Sequence, residues 1–370
     1  MKKLLIGLAL LALVVLVAVF ANRREVNKDE VVFGAALALT GPQADFGLKV
    51  KAGLDMAAEE INAKGSAKVR IVYEDTLSNA KDGLTAYNKL SDIDGAKYIF
   101  GSGSYLANAI APLADSKDSL FVVVGTSLPK ITEGRDNVVR YSYTVDISAK
   151  VVAEYAAENL NKVAVLYVEE EYGQIANDIF KQTFESGEKE ITFSGSFQVK
   201  ETEVRTLVTK CLASEPEAIF IPGYGPGMVA VIRQIRSVAP EVILLGDVAL
   251  ANQSIIEATG EAANGSIVPA MPLDGGVAIT DKAKSFLTKY QESYENDPDM
   301  WFVGAYEAVH LLHLAVENTD ASTNSVREYL IDGSPHESFS GPVEYTASGE
   351  SLIPMTLFKV LNGKLLPIDE

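Results

Sequence analysis

Four hydroxyl side chains lie close to two glycine-containing segments in the first third of the chain. Ser102 and Ser104 alternate with glycines in the sequence GSGS, and Thr126 and Ser127 end the sequence GTS. Hydroxyls and the free N–H groups that begin a helix can together bind a small anion without any cation. The residue types therefore predict an anion site, although glycine and serine are also common in ordinary turns between strands and helices.

Short apolar segments precede both hydroxyl clusters and would position them. Residues 98–100 read as a strand interrupted by GSGS, apolar residues recur at helical spacing over 106–113, and residues 120–124 read as a buried strand. Open α/β sheets bind ligands at the carboxyl ends of their parallel strands. We therefore expect the two clusters to lie side by side on one edge of a sheet.

Strands and helices alternate over most of the remaining chain. One array spans residues 31–141, and a second spans residues 149–245, in which IFIPGYGPGMVAVI and VILLGDV echo the earlier IFGSGSYLANAI and FVVVGTS. Regular alternation predicts parallel sheets covered by helices on both faces. The predicted fold class is therefore α/β, with two similar, doubly wound, parallel-sheet lobes facing one another across a cleft.

The N-terminus has the pattern of an export signal. Lys2 and Lys3 precede an apolar run over residues 4–21, and the chain becomes polar at Asn22. This pattern predicts a signal peptide, residues 1–21, cleaved after Ala21. The run is also nearly long enough to span a bilayer, so an uncleaved N-terminal membrane anchor is the alternative. The predicted location is periplasmic or extracellular in either case.

Length and charge limit the classes of function. A chain of 370 residues exceeds what one hydrophobic core usually serves, so two domains are expected. A net charge of −18 argues against nucleic acid and anionic membranes as partners. Cys211 is the only cysteine, which excludes an intrachain disulfide, and its helical context predicts a buried structural thiol.

No convincing catalytic set is present in the sequence. The GxSxG, P-loop and HExxH motifs are absent, and the three histidines are His310, His313 and His336. His310 and His313 are spaced to share a helix face, but no acidic or cysteine partners are spaced to complete a metal site, so packing is the better interpretation. We predict a protein that is not an enzyme and that uses no cofactor and no metal.

A family resemblance becomes visible in four segments taken in order. Residues 32–65, VFGAALALTGPQADFGLKVKAGLDMAAEEINAKG, resemble the opening of periplasmic solute receptors of the branched-chain-amino-acid-binding type. Residues 98–127, the segment VAVLYVEEEYGQIANDIF and the segment FVGAYEAVHLL follow in the family's order and spacing. The resemblance covers nearly all of the chain beyond the N-terminal apolar run.

The resemblance implies a type I periplasmic-binding fold that closes on a small ligand and delivers it to an ABC-type membrane permease. Lobe 1 would comprise residues 30–145 and 272–350, and lobe 2 would comprise residues 146–271 and 351–370. Three hinge crossovers would connect the lobes, near Asp146, Met271 and Ser351. A membrane-anchored sensor or envelope interaction protein on the same fold is the alternative function.

The resemblance also assigns roles to individual residues. Ser104, Thr126 and Ser127 match the positions that hold a ligand's α-carboxylate in this family. Tyr105 stands where a small residue is common, and it would shrink or cap the pocket. Three aromatic residues would enclose the rest of the ligand, the alternative being simple packing at the lobe edges: Phe46, Tyr172 and Tyr224.

One position departs from the family pattern. Receptors for amino acids place an acidic residue after the strand predicted at residues 242–245, where it pairs with the ligand's ammonium group. An ungapped alignment puts Val248 at that position, with Asp247 one residue earlier. Asp247 would pair with a positive ligand group only if the turn is rebuilt. Otherwise the ligand is a carboxylate without an α-ammonium, such as an organic acid, or an amide or urea-like solute.

Overall fold

The computed structural model describes residues 30–65, 68–185, 189–271, 273 and 276–368. The predicted signal peptide or anchor at residues 1–21 lies outside the described residues. Within these ranges, no helix combines the length and apolar character that a membrane span requires.

The first array forms a five-stranded sheet in the order β2-β1-β3-β4-β5, and every pairing in it is parallel. Its three central strands are nearly continuous apolar runs, as expected of strands covered by helices on both faces. This confirms the predicted parallel sheet, and we call the unit built on it lobe 1. Its elements in chain order are β1 (Glu30–Leu37), α1 (Ala44–Ala63), β2 (Lys68–Asp75), α2 (Ala80–Asp92), β3 (Tyr98–Ser102), α3 (Ser104–Ala114), β4 (Leu120–Val124) and β5 (Val138–Tyr141).

The second array supplies the parallel part of a larger sheet, and we call the unit built on that sheet lobe 2. A short 3₁₀ helix, Gly260–Ala263, precedes its last strand. Its elements are α4 (Val145–Asn159), β6 (Lys162–Val168), α5 (Glu171–Phe184), β7 (Glu190–Phe197), α6 (Arg205–Leu212), β8 (Ala218–Ile221), α7 (Gly225–Val238), β9 (Ile243–Gly246), α8 (Gln253–Thr259) and β10 (Ile267–Ala270).

The remaining elements complete both lobes. They are α9 (Asp281–Gln291), α10 (Met300–Glu317), α11 (Thr323–Ile331), β11 (His336–Ser338), β12 (Gly341–Tyr345), β13 (Ser351–Leu352), β14 (Thr356–Leu361) and β15 (Lys364–Pro367). Helix α10 packs against α1 so closely that a Cβ on Gly53 would lie 2.3 Å from the Phe302 carbonyl oxygen. Strands β11, β12 and β13 form a small antiparallel sheet.

The sheet of lobe 2 adds two antiparallel strands to the predicted parallel array. Its order is β15-β14-β10-β9-β8-β6-β7, and β14 and β15 are antiparallel. The chain returns to this sheet from lobe 1 and ends there as a hairpin, for which no crossover helix is needed. Asn362 and Gly363 form the turn with φ angles of 51° and 76°, the left-handed geometry that two-residue hairpin turns require.

The chain leaves the lobe 1 sheet after β5, leaves the lobe 2 sheet after β10 and returns to the lobe 2 sheet at β14. The first and third passages lie side by side, because the Ser142 N–H donates to Ser351 Oγ over 3.1 Å. Arg140, fully buried, forms an ion pair with Glu350 just ahead of both passages. The residue boundaries predicted for the lobes stay a prediction.

The burial of Cys211 and His310 determines the chemistry available to their side chains. Cys211 is buried in α6, and burial raises the pKa of its thiol to about 12, so it is a poor nucleophile. His310 lies on α10, where burial lowers the pKa of its imidazole to about 4. Across the described ranges, no three His, Cys, Asp or Glu side chains are grouped so as to hold a metal ion.

Candidate ligand-binding site

Two of the predicted hydroxyls meet at the carboxyl edge of the lobe 1 sheet. Ser104 Oγ and Thr126 Oγ1 are 2.7 Å apart, and the Thr126 side chain is buried. Strand β3 continues through Ser102, so the predicted break in the strand falls later, at Gly103. Gly103 has a φ of 92°, which only glycine adopts readily, and this turn makes Ser104 the first residue of α3.

The start of α3 adds backbone donors to this hydroxyl pair. The first N–H groups of an α-helix have no acceptor within the helix, and the helix dipole places partial positive charge there. Leu106 and Ala107 already donate their N–H groups to the Gly103 carbonyl oxygen. The N–H groups of Ser104 and Tyr105 precede the first hydrogen bonds of the helix, at the end of α3 where Ser104 contacts the Thr126 hydroxyl.

An aromatic pair covers the glycine that precedes Thr126. The rings of Phe46 and Trp301 lie 5.0 Å apart, and a Cβ on Gly125 would be 2.2 Å from the Trp301 ring. The same Cβ would be 3.1 Å from Ser102 Oγ, so the indole and this hydroxyl share one corner of the cleft. The Phe46 side chain remains 43% exposed, leaving apolar surface available to a ligand.

Tyr105 packs beside the hydroxyl pair with its own hydroxyl already engaged. Its Oη lies 3.0 Å from Thr76 Oγ1, and its ring would be 3.0 Å from a Cβ placed on Gly103. Partial burial raises the pKa of its phenol. The ring therefore narrows the turn at Gly103, while the hydroxyl is directed to the turn that follows β2.

The predicted residues of lobe 2 form a second cluster, at the carboxyl ends of β6, β8 and β9. The rings of Tyr172 and Tyr224 are 5.8 Å apart in an edge-to-face arrangement. The Tyr172 hydroxyl donates to Asp247 Oδ2 over 2.8 Å, and the Tyr224 hydroxyl donates to the exposed carboxylate of Glu170. Each phenol of this cluster is thus paired with a carboxylate of its own lobe.

Asp247 is almost completely buried, with 1% of its surface exposed. Besides Tyr172, the Gly223 N–H donates to Oδ2 over 2.9 Å and the Ala249 N–H donates to Oδ1 over 3.0 Å. Burial raises the pKa of this carboxyl to about 7, although these hydrogen bonds act in the opposite direction. Burial and the nearby Asp247 carboxylate together raise the pKa of Tyr172 well above its ordinary value.

The first passage between the lobes connects the two clusters. The Val145 N–H, at the start of α4, donates to the Ser127 carbonyl oxygen over 3.0 Å. Tyr143, two residues earlier, is close enough to contribute to the raised pKa of Tyr172. The lobe 1 hydroxyls and the lobe 2 tyrosines therefore adjoin the same passage, as expected of two halves of one cleft.

A cavity of about 1220 Å³ also opens between the lobes, beside the aromatic pair. On the lobe 1 side it is lined by Asp45 and Asp299, which are close in sequence to the aromatic pair. On the lobe 2 side it is lined by Asn252 and Lys364. The hydroxyl pair does not line this cavity. This interlobe cavity and the predicted anion site are therefore distinct parts of the cleft.

Trp301 contacts the candidate site but was not predicted from the sequence. Asp299 caps α10 by accepting the N–H groups of Trp301 and Phe302, which fixes the indole at the first turn of the helix. The available signal was that Trp301 is the only tryptophan and follows a helix-capping aspartate. Its distance of about 175 residues along the chain from Thr126 concealed the contact.

The architecture and the site together define a class of protein, a bilobed α/β solute-binding receptor with its ligand cleft between the carboxyl edges of two sheets. Comparison with known proteins is consistent with this class. A family model described as "Periplasmic binding protein" matches residues 30–364, and the chain belongs to that family. This confirms the resemblance found in the sequence.

Individual relatives cover nearly the whole chain. "Leu/Ile/Val-binding protein homolog 3" of Brucella melitensis is 27% identical over 92% of this chain and 94% of its own length. Among solved structures, the isoleucine complex of the substrate-binding protein LivJ from Streptococcus pneumoniae has a TM-score of 0.76 at 20% identity, covering 91% of this chain and 97% of that chain. A solute-binding protein of an ABC transporter from Rhodopseudomonas palustris, in complex with 3,4-dihydroxybenzoic acid, has a TM-score of 0.76 at 22% identity, covering 92% and 96%.

Proposed function

We propose that this protein is the extracytoplasmic receptor of an ABC-type importer and that its lobes close on a small carboxylate ligand. The observation that carries the proposal is the hydroxyl pair of Ser104 and Thr126, 2.7 Å apart at the start of α3. The ligand carboxylate would accept hydrogen bonds from this pair, from Ser127 and from the first N–H groups of the helix. Each charge-assisted hydrogen bond of this kind contributes roughly 1.5–3 kcal/mol where water is excluded.

The remainder of the ligand would contact aromatic surface from both lobes. Phe46 and Trp301 supply it from lobe 1, and Tyr172 and Tyr224 supply it from lobe 2. Tyr105 would narrow the pocket rather than donate to the ligand, since its hydroxyl lies 3.0 Å from Thr76 Oγ1. These groups favour a ligand with one carboxylate and an apolar body.

The proposed closure is a hinge motion at the three passages between the sheets. We place lobe 1 at residues 30–145 and 272–350, and lobe 2 at residues 146–271 and 351–370. Contacts to ligand from both lobes would stabilise the closed state relative to the open one. The buried ion pair of Arg140 and Glu350 supports a fixed base for the hinge beside the first and third passages.

The receptor would be exported from the cytoplasm and would deliver its ligand to a membrane permease. Family membership supports an extracytoplasmic location, with residues 1–21 as the cleaved signal peptide. The membrane partner would be an ABC-type permease, and we propose that the receptor catalyses no reaction. The curated relatives are named as Leu/Ile/Val-binding proteins, so branched-chain amino acids and their carboxylate analogues are the first ligands to test.

The experiment is a thermal-shift screen followed by calorimetry. The panel contains leucine, isoleucine and valine, their analogues without the amine, aromatic carboxylic acids and small amides. A ligand at a hundred times its Kd adds about 2.7 kcal/mol of stability, which a melting curve resolves. Replacing Thr126 and Ser127 together by alanine should weaken binding of the best ligand at least tenfold, because two hydroxyl donors to the carboxylate are lost.

A hydroxyl elsewhere on lobe 1 provides the control. Thr288 lies on the exposed face of α9, where its hydroxyl donates to the Lys284 carbonyl oxygen. Thr288→Ala should leave affinity within twofold. An unchanged affinity in the double variant would remove the carboxylate assignment, and a panel without any binder would remove the receptor function itself.

A further inference from the structure

Asp247, the buried acidic residue of the lobe 2 cluster, already accepts hydrogen bonds on both of its carboxylate oxygens. Asp247 Oδ2 accepts from the Tyr172 hydroxyl and from the Gly223 N–H, and Oδ1 accepts from the Ala249 N–H. These three protein donors occupy most of the roughly four acceptor positions of a carboxylate.

Hinge closure does not release these donors. Tyr172, Gly223 and Ala249 all belong to lobe 2, the same lobe as Asp247, so a rotation of the lobes moves them together. Two of the three donors are backbone N–H groups, which cannot turn away as a side chain can. An arriving ammonium would have to reach a side chain that is 1% exposed and already hydrogen-bonded on both oxygens.

The neighbouring position offers an apolar surface instead of a charge. Val248 is 3% exposed and belongs to the apolar cluster that forms the core of lobe 1, so it lies where the lobes meet. Val248 itself offers no counter-ion to an ammonium group, and an ammonium buried without one is strongly unfavourable. The acidic position expected of amino-acid receptors is thus occupied by a valine that packs between the lobes.

The other carboxylate of the lobe 2 cluster does not replace it. Glu170 is exposed to solvent and accepts the hydroxyl of Tyr224. Ion pairs at exposed positions contribute little to affinity, because water solvates both charges and salt screens them. Lobe 2 therefore presents phenol rings and a valine to the ligand rather than an accessible buried anion.

We infer that the cleft selects monocarboxylates whose α-carbon carries no ammonium group, and that Asp247 is a positioning residue that holds the hydroxyl of Tyr172. This inference rests on the proposed carboxylate receptor function and specifies its substrate class. The ligand would present its carboxylate to Ser104 and Thr126 and an uncharged body to Val248 and the aromatic rings.

The test compares ligands that differ only in the amine. Calorimetry on the purified protein measures Kd for leucine against 4-methylpentanoate, and for phenylalanine against 3-phenylpropanoate. We expect the acid of at least one pair to bind ten times more tightly than its amino acid. Equal or tighter binding of the amino acids would overturn the inference and leave the receptor function intact. If none of the four compounds binds, both the inference and the carboxylate receptor function are contradicted.

Two variants test the roles of the individual residues. Asp247→Asn should leave the ratio of acid to amino-acid affinity unchanged within twofold, even if both affinities fall because Tyr172 is less well held. A selective tenfold loss for the amino acid would show a direct contact with the ammonium and overturn the assignment. Val248→Glu should move the ratio at least tenfold toward the amino acid, and the uncharged Val248→Leu should not.

Discussion

The hydroxyls of Ser104 and Thr126 in lobe 1 contact one another over 2.7 Å, whereas the phenol of Tyr172 in lobe 2 donates to a carboxylate of its own lobe. A pair of hydroxyls can rotate its protons toward an arriving anion, since each oxygen both donates and accepts. A phenol bound to a buried carboxylate has its proton committed. The two halves of the cleft therefore differ in the hydrogen-bond donors that they can offer to a ligand.

This difference assigns different tasks to the two lobes. Lobe 1 supplies neutral donors and the start of α3, both of which favour negative charge. Lobe 2 brings Glu170 and Asp247 close to the same passage, and negative charge there disfavours a second anion. A carboxylate ligand should accordingly bind lobe 1 first, with lobe 2 closing its tyrosines over the uncharged part.

The largest expected effect of a single change is on the stability of lobe 2. Asp247→Ala removes the acceptor of two backbone N–H groups and of the Tyr172 hydroxyl. An orphaned buried donor costs roughly 1–3 kcal/mol, so urea unfolding at pH 6 should show a loss in or above that range. Thr126→Ala in lobe 1 is the matched comparison and should lose about 1 kcal/mol, the net value of one hydrogen bond. Equal losses in both variants would contradict the contrast between the lobes.

Much of lobe 1 could be predicted from the sequence because its signals are local. Apolar strands followed by GSGS and GTS place Ser104 and Thr126 at neighbouring parallel strand ends, and the structure brings them into contact. Trp301 could not be predicted in the same way, since it reaches Gly125 only after the chain has crossed to lobe 2 and returned. Its position depends on the packing of α10 on α1, which no local pattern records.

The state of Asp247 was also beyond sequence reasoning. Its position after β9 could be read from the strand pattern, but whether its carboxylate meets ligand or protein depends on the turn that begins at Asp247. There the Ala249 N–H and the distant Gly223 N–H converge on the side chain. The antiparallel direction of β14 and β15 was not predicted for a related reason, because strand direction within a sheet is set by the path of the chain between lobes.

The contribution of Asp247 to stability should also depend on pH. The folded-state pKa of Asp247 is raised to about 7 from an ordinary value of 3.8, so the folded protein binds this proton more tightly than the unfolded chain does. Its contribution to the free energy of unfolding is therefore fully present below about pH 4 and declines as the pH rises through 7. In the Asp247→Asn variant the side chain is an amide, which does not titrate between pH 4 and pH 7.

The measurement is the difference in unfolding free energy between the wild-type protein and Asp247→Asn from pH 4 to pH 8. The wild-type advantage should shrink as the pH rises and become constant above about 7. Glu307 in lobe 1 also has a raised pKa of about 7, but it is present in both proteins and cancels from the difference. Thr126→Ala, which removes no ionisable group, should differ from wild type by the same amount at every pH, and a flat difference for Asp247→Asn would refute the raised pKa.

Removing the hydroxyl of Tyr224 should have a smaller effect than removing that of Tyr172, the other phenol of lobe 2. The Tyr224 hydroxyl donates to the exposed carboxylate of Glu170, which water solvates equally well when the hydroxyl is removed. Tyr224→Phe should therefore change stability by no more than about 0.5 kcal/mol and ligand affinity by less than threefold. Tyr172→Phe removes the hydroxyl that donates to the buried carboxylate of Asp247, so that Oδ2 keeps only the Gly223 N–H. This variant should therefore lose more stability and more ligand affinity than Tyr224→Phe. If the two variants behave alike, burial rather than hydrogen bonding to Asp247 fixes Tyr172, and the positioning role assigned to Asp247 falls with it.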